Sequence, residues 1–156
     1  MKILIAVDGS FCSYAAVKEI AARPWLAGSE IKIIAVIERA LTPPPGIWAF
    51  PDSYAVQIEK LAREYLSGVI NHAATKFNAV EGPPIKVTAE VLSGEPKEII
   101  LDEAERWGAD LIVVGSHGRR GLKRLWLGSV SQAVVSQAKC SVEIVRCPKA
   151  NASRGA

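Results

Sequence analysis

The chain has 156 residues, of which 49% are hydrophobic and 22% charged, and a formal net charge of +3. This composition is typical of one globular domain and excludes disordered and fibrous classes. The mild charge without interleaved aromatic residues argues against a nucleic-acid partner. No apolar run approaches the roughly 20 residues of a membrane helix, and the apolar opening is interrupted at Asp8, too early for a signal peptide. We therefore expect a cytoplasmic location and no membrane partner.

Five short runs rich in Ile, Val and Leu are predicted to be strands. Several are apolar without clean alternation, as expected of strands covered on both faces. Between them, apolar residues recur three and four positions apart, which predicts four helices, centred on residues 17–21, 58–70, 99–107 and 130–137. Strict alternation of strand and helix predicts an α/β fold with a parallel sheet and helices on both faces. The predicted strands are residues 2–7, 31–37, 85–92, 111–114 and 142–145.

Local signals mark the ends of two helices. Pro96 is placed at the start of the third helix, where a missing amide hydrogen costs nothing, and Gly108 is its expected C-cap. The sequence from Ser129 to Gln132 is typical of a capping box that opens the fourth helix.

Two segments are expected to lie outside regular structure. The Pro-rich stretch 42–51 predicts a stiff, partly extended loop of undefined role. The small, polar residues 148–156 predict a disordered tail. One domain, residues 1–147, accounts for the rest of the chain.

Three cysteines, Cys12, Cys140 and Cys147, form no even set and no metal-ligand spacing. This pattern favours a reducing compartment and argues against a zinc or disulfide framework. We expect Cys12 and Cys140 to be small buried apolar residues.

The segment after the fourth predicted strand is the best candidate for a binding site. We expect Gly115 and Gly118 to adopt positive φ and to let a bulky anion approach the backbone. Gly128 and Ser129 then open a helix, whose unpaired amides and dipole favour a phosphate, and basic residues at 119–124 add positive charge. Neither a Walker A loop nor a dinucleotide-binding glycine fingerprint is present. The segment therefore predicts a polyphosphate site of another type.

Individual side chains in this region allow two interpretations each. Asp8, at the end of the first strand, either satisfies amides in the following turn or contacts a ligand or Mg²⁺. Ser129 either caps the fourth helix or contacts phosphate, and both roles are compatible. His117 is a candidate for ligand contact rather than catalysis, because no neighbouring carboxylate orients it.

The spacing Gly115-x2-Gly118-x9-Gly128-Ser129 resembles the ATP-binding signature of the universal stress protein family. The resemblance covers residues 1–146 and includes the Gly94-Glu95-Pro96 turn. It implies an open, Rossmann-like sheet with strand order 3-2-1-4-5, and ATP as ligand, with Asp8 near the ribose and phosphates; the strand-end position of Asp8 leaves Mg²⁺ as an additional candidate ligand. The binding residues that it implies are Val7, Asp8, Val36, Val114, Gly115, His117, Gly118, Gly128, Ser129, Val130 and Ser131.

The resemblance also implies a homodimer formed by antiparallel pairing of the last strand, from Ser141 to Cys147. We expect a non-catalytic regulatory module of a stress response, in which ATP occupancy is sensed by a partner yet to be identified. The alternatives are a slow Mg²⁺-dependent ATP hydrolase that uses Asp8, a binder of another adenine nucleotide such as cyclic AMP, and a protein-interaction scaffold with a vestigial loop.

Overall fold

The computed structural model describes residues 1–38, 52–78, 85–118 and 127–147. The Pro-rich segment 42–51, the basic residues 119–124 and the tail 148–156 lie outside these ranges, so the expectations for them stay predictions. Within the described residues, no helix is both long and apolar enough to cross a membrane. The described chain alternates strictly between strand and helix, as predicted. Its strands are β1 (Lys2–Ala6), β2 (Glu30–Ile37), β3 (Lys86–Ser93), β4 (Leu111–Gly115) and β5 (Ser141–Val145), and its helices are α1 (Phe11–Ala21), α2 (Asp52–Asn78), α3 (Pro96–Trp107) and α4 (Ser129–Gln137).

The five strands form one parallel sheet with the order β3-β2-β1-β4-β5. This confirms the expected fold class and strand order. Ala6 of β1 is in register with Ile34 of β2 and with Val114 of β4. The carboxyl ends of the three central strands therefore meet at one edge of the sheet. The strand order reverses between β1 and β4, which is where open α/β sheets bind ligands.

The core occupies both faces of the sheet. Ile3 and Ile5 of β1 pack in the cluster under α1 and α2, whereas Leu4 between them packs in the cluster under α3 and α4. All three side chains are fully buried. The near-continuous apolar sequence of β1 is thus explained by a helix layer on each side.

An ion-pair network around one buried carboxylate links α3 to the sheet. Glu103 of α3 is 4% exposed, and its carboxylate accepts hydrogen bonds from Lys32 of β2 at 2.5 Å and from Arg106. Lys32 also pairs with Glu90 of β3 at 2.8 Å. Burial alone would raise the pKa of Glu103, but Lys32 and Arg106 outweigh it and lower that pKa. Burial likewise opposes the charge of Lys32, and its two carboxylate partners raise its pKa.

The helix-end predictions for α3 are confirmed, and the one for α4 is wrong. Pro96 begins α3, and Gly108 is its C-cap, with the left-handed φ of 70° that favours glycine there. For α4, the N-cap is Gly128 rather than Ser129, and no side chain caps the helix. The amide of Gly128 donates to the Ser116 carbonyl at 2.8 Å and its own carbonyl accepts from the Gln132 amide, so the helix starts at Ser129.

Cys12 and Cys147 are joined by a disulfide, with Cα atoms 4.7 Å apart. The expectation of no disulfide is therefore wrong. The two residues are 135 positions apart, but parallel topology brings the start of α1 and the end of β5 to the same edge of the sheet. Cys12 is buried as predicted, at 5% exposure. Cys140 is only partly buried, and that burial raises the pKa of its thiol.

Candidate functional site

A cavity of about 690 Å³ opens at the carboxyl edge of the sheet, bounded by the ends of β1, β2 and β4 and the first turns of α3 and α4. Its volume falls in the usual range of small-ligand sites, about 300–1,000 Å³. All eleven residues named from the sequence lie on its wall: Val7, Asp8, Val36, Val114, Gly115, His117, Gly118, Gly128, Ser129, Val130 and Ser131. The structure thus brings the predicted residues together; that they bind a ligand stays a prediction.

Asp8 lies between the first strand and the loop that follows the fourth. Its Oδ1 atom accepts a hydrogen bond from the Ser10 amide at 2.9 Å, so the turn-stabilising interpretation is realised. A Cβ on Gly118 would lie 2.8 Å from Oδ2 of Asp8. The carboxylate therefore also lies against the loop, and a side chain at position 118 would displace it.

Gly115 and Gly118 allow close packing rather than an unusual backbone conformation. Neither Gly115, Gly118 nor Gly128 has positive φ, so the expected left-handed conformation at Gly115 and Gly118 is wrong. At Gly115, a Cβ would lie 2.8 Å from the carbonyl carbon of Cys12 and 2.9 Å from the Ser13 nitrogen. Glycine is needed there because the start of α1 packs directly on the end of β4.

Hydrogen bonds hold the loop of residues 115–118, here called the glycine loop, from three sides. The Ser116 amide donates to the carbonyl of Val145 at the end of β5, at 2.8 Å. The Ser131 hydroxyl of α4 donates to the Gly115 carbonyl at 2.7 Å. The Ser10 hydroxyl, at the start of α1, donates to the His117 carbonyl at 3.3 Å. The glycine loop is thus fixed before any ligand arrives.

Three helices begin next to the cavity: α1 has a side-chain cap, whereas α3 and α4 have none. The Ser10 side chain caps α1 by accepting from the Ser13 amide at 3.2 Å. The N-terminus of α4 has no side-chain cap, and Ser129 at its first position is exposed. The first four amides of a helix have no partner within it. In α4 the first of these, the Gly128 amide, is bonded to Ser116, and residues 129–131 lie on the cavity wall at the positive end of the helix dipole.

The cavity also has a part that sequence reasoning did not identify. Glu38, Glu95 and Pro96 line it together with Ile34 and Ile100. Glu38 follows β2 directly and Glu95 precedes α3, so the rule that ligands bind at strand ends would have found both. With these residues, the wall combines apolar surface, the three acidic side chains of Asp8, Glu38 and Glu95, and the N-termini of α3 and α4.

His117 and Asp8 do not form part of a metal cluster. Across residues 1–38, 52–78, 85–118 and 127–147, no three His, Cys, Asp or Glu side chains are grouped to hold a metal ion. The Nδ1 atom of His117 lies 3.2 Å from the Ser116 hydroxyl. Mg²⁺ in proteins is commonly held by one or two carboxylates together with phosphate oxygens. Asp8 fits that role only beside a bound phosphate.

A parallel sheet of this order, with a cavity at its switch point, defines a Rossmann-like α/β protein. The family model described as the universal stress protein family matches residues 1–146. The chain therefore belongs to the universal stress protein family.

Individual relatives show the same likeness. Universal stress protein A homolog 2 of Coxiella burnetii is 40% identical over 98 residues, and the match spans only 63% of each chain. A universal stress protein of Methanocaldococcus jannaschii is 33% identical over 152 residues, covering 95% of this chain and 83% of the relative. The crystal structure of a family member from Arabidopsis thaliana with AMP bound has a TM-score of 0.64 at 20% identity, covering 96% of this chain and 93% of that one. This last similarity is one of fold.

Proposed function

We propose that the protein is an adenine-nucleotide-binding regulatory module with ATP as its ligand. The observation that carries the proposal is the N-terminus of α4, which has no side-chain cap and lies on the wall of a nucleotide-sized cavity. Unpaired amides at the positive end of a helix dipole are a general site for phosphate. The Arabidopsis relative named above binds AMP, which favours an adenine nucleotide over other phosphorylated ligands.

The wall suggests one orientation for the nucleotide. The phosphates lie against Gly118, Gly128 and the first turn of α4, where donors are concentrated. The base then lies toward Val36, because the apolar side chains Ile34 and Ile100 line that part of the wall. The sugar between them lies near Val7 and Asp8. Mg²⁺ would add charge neutralisation of the phosphates, with Asp8 as its protein ligand.

The geometry of Asp8 favours binding over turnover. Its carboxylate is engaged by the Ser10 amide and confined by Gly118, so it is suited to holding a ligand in place rather than to activating water. The proposed function is therefore regulatory and non-enzymatic, exercised in the cytoplasm in a stress response through a partner that senses occupancy.

We propose that the module works as a homodimer paired through β5. Among the described residues, β5 is hydrogen-bonded to β4 alone, so it forms an edge of the sheet. Sheet edges are normally protected, and the partly buried Val142 and Ile144 provide apolar surface for a second copy. A sedimentation mass near that of one chain at micromolar concentration would contradict this assembly.

The experiment has two steps. Nucleotide extracted from the purified protein is identified by mass spectrometry, and calorimetric titration then compares ATP, cyclic AMP and GTP. Gly118→Val should abolish ATP binding, because a side chain there would collide with the Asp8 carboxylate. Gly68→Val, on the exposed part of α2 where an added Cβ meets nothing within 4 Å, is the matched control.

Different results would replace the proposal. Unchanged ATP affinity in a folded Gly118→Val protein would place the site elsewhere. Metal-dependent phosphate release that is lost in Asp8→Ala would make the protein a hydrolase. Tighter binding of cyclic AMP than of ATP would change the ligand, and no binding at millimolar nucleotide would favour a scaffold.

A further inference from the structure

The cysteine pair lies directly behind the proposed nucleotide site but is no part of its wall. Cys12 is the second residue of α1 and is 5% exposed, whereas Cys147 follows β5 by two positions and is partly buried. Their disulfide spans the edge of the sheet between these two elements. Cys147 is therefore the more exposed residue of the pair.

Cys12 contacts the glycine loop directly, and Cys147 is connected to it through Val145, two residues earlier. The backbone of Cys12 leaves no room for a side chain on Gly115. The Ser116 hydroxyl lies 3.9 Å from the Cys12 sulfur, and the Ser116 amide is bonded to Val145, two residues before Cys147. The disulfide thus joins the two segments that support residues 115 and 116.

We propose that Cys12 and Cys147 form a reversible thiol–disulfide modification site that sets the affinity of the neighbouring cavity for nucleotide. The affinity part of this inference rests on the proposed function. In a reducing compartment, disulfides that do form are usually transient and catalytic or redox-sensing. A pair placed against a ligand-binding loop is suited to the sensing role.

The oxidant is a low-molecular-weight disulfide of the glutathione class, and the exchange proceeds in two balanced steps. The more accessible thiol of Cys147 loses its proton and attacks the external disulfide, which gives a mixed disulfide and releases one thiolate. The thiol of Cys12 then loses its proton and attacks the Cys147 sulfur, forming the internal disulfide and releasing the second thiolate. The two protons go to the released thiolates. The two electrons from the protein reduce the external disulfide, and reduction by two equivalents of thiol reverses the sequence.

The oxidised form should bind nucleotide more tightly. The disulfide holds the start of α1 and the end of β5 together, and both support the glycine loop. Because the loop is already ordered in the oxidised protein, nucleotide binding does not have to supply the free energy of ordering it. This is the general advantage of preorganisation. We expect ATP affinity about fivefold higher in the oxidised than in the reduced protein, on the scale of ordering one or two side chains.

Cys140 provides the matched control. It lies at the opposite end of β5, immediately before Ser141, and packs in the cluster under α3 and α4. Burial raises the pKa of its thiol, and since the thiolate is the attacking species, Cys140 should not exchange.

The test uses the full chain equilibrated in glutathione buffers from fully reduced to fully oxidised. Free thiols are trapped with a maleimide and counted by mass, and ATP is titrated calorimetrically into each sample. Wild type and Cys140→Ser should both gain the internal disulfide and the fivefold increase in affinity. Cys147→Ser should keep the affinity of the reduced protein in every buffer.

Each other outcome overturns a defined part of the inference. If no Cys12–Cys147 disulfide forms in any buffer, the modification site does not exist. If the disulfide forms but ATP affinity stays constant, or if Cys147→Ser still responds to the buffer, the coupling is wrong while the proposed function stands. If neither redox form binds any nucleotide, the proposed function itself fails, and the thiol count still decides whether the pair is oxidised.

Discussion

Helices α1 and α4 both begin at the carboxyl edge of the sheet, yet their first turns differ. Helix α1 follows β1, whereas α4 follows the segment of the chain that begins with the glycine loop. In α1 the Ser10 hydroxyl accepts from the Ser13 amide, and the Ser13 hydroxyl donates back to the Ser10 carbonyl. In α4 the N-cap is Gly128, which offers no side chain, and the next residue, Ser129, is exposed.

The difference assigns separate tasks to two similar structures. Every helix start leaves amides without an internal partner. The chain satisfies some of those of α1 itself, so α1 acts as a rigid wall behind Gly115. It supplies no side-chain cap for α4, and under the proposed function that end receives the phosphate. Binding and stability should consequently respond to different substitutions, and three predictions test this separation.

The largest expected effect is on stability without an effect on binding. Glu103→Gln removes a 4%-exposed carboxylate and leaves the partly buried Lys32 with Glu90 as its remaining partner. We expect the free energy of unfolding to fall by about 2 kcal/mol, the scale of hydrogen bonds to charged groups. Denaturant unfolding measures this loss, and calorimetry should show ATP affinity within about twofold of wild type, since Glu103 does not line the cavity. Glu105→Gln, which removes an exposed pair with Lys139, is the control and should cost little.

The same network predicts the pH dependence of stability. The pKa of Glu103 is lowered in the folded state from its ordinary 4.5. Its contribution is therefore complete above that value and is lost as the pH falls through the lowered folded pKa. The pKa of Lys32 is raised from 10.5, so its contribution is complete below that value and lost as the pH rises through the raised folded pKa. The stability difference between wild type and Glu103→Gln should be constant between about pH 5 and 10 and shrink in acid. A difference that grows in acid would contradict the assignment.

How well the sequence predicted each feature depends on how far apart in the chain the interacting residues lie. Strands and helices were predictable because periodicity is local, and Pro96 and Gly108 marked the ends of α3 for the same reason. The strand order came from family resemblance, since alternation alone does not determine it. The Lys32–Glu103 pair and the Cys12–Cys147 disulfide join residues 71 and 135 positions apart, and no local pattern indicates such partners.

The glycine loop shows a subtler limit. Its glycines were identified, but their positive φ was inferred from the most common reason for glycine, whereas packing against Cys12 and Asp8 is the reason here. The N-cap of α4 was misplaced by one residue because Ser129 has the better capping side chain. The bond from the Gly128 amide to Ser116, which defines the true start, is a tertiary contact.

The second prediction reverses the state of α4 by giving it the cap that it lacks. Gly128→Asp is tolerated sterically, because the backbone is extended at φ −69° and an added Cβ meets no atom closer than 3.5 Å. The new carboxylate should stabilise the protein by a few tenths of a kcal/mol. It should also weaken ATP binding at least about tenfold, since it occupies the amides and repels phosphate. Gly128→Ser adds a cap without charge and should lose less affinity. Unchanged ATP affinity in the aspartate variant would show that phosphate does not bind at α4.

The smallest effects are expected from removing one serine hydroxyl at the start of α1 or of α4. Ser10→Ala removes the cap of α1 and should lower the free energy of unfolding by about 1 kcal/mol, with a smaller change in ATP affinity. Ser129→Ala removes an exposed hydroxyl that caps nothing. It should leave stability within about 0.5 kcal/mol and weaken ATP binding about threefold, the scale of one modest hydrogen bond. Ser136→Ala, in the exposed last turn of α4, is the control for both measurements. If Ser129→Ala destabilised the fold as much as Ser10→Ala, the two helix starts would serve the same structural task, and the anion site would lose the feature that distinguishes it.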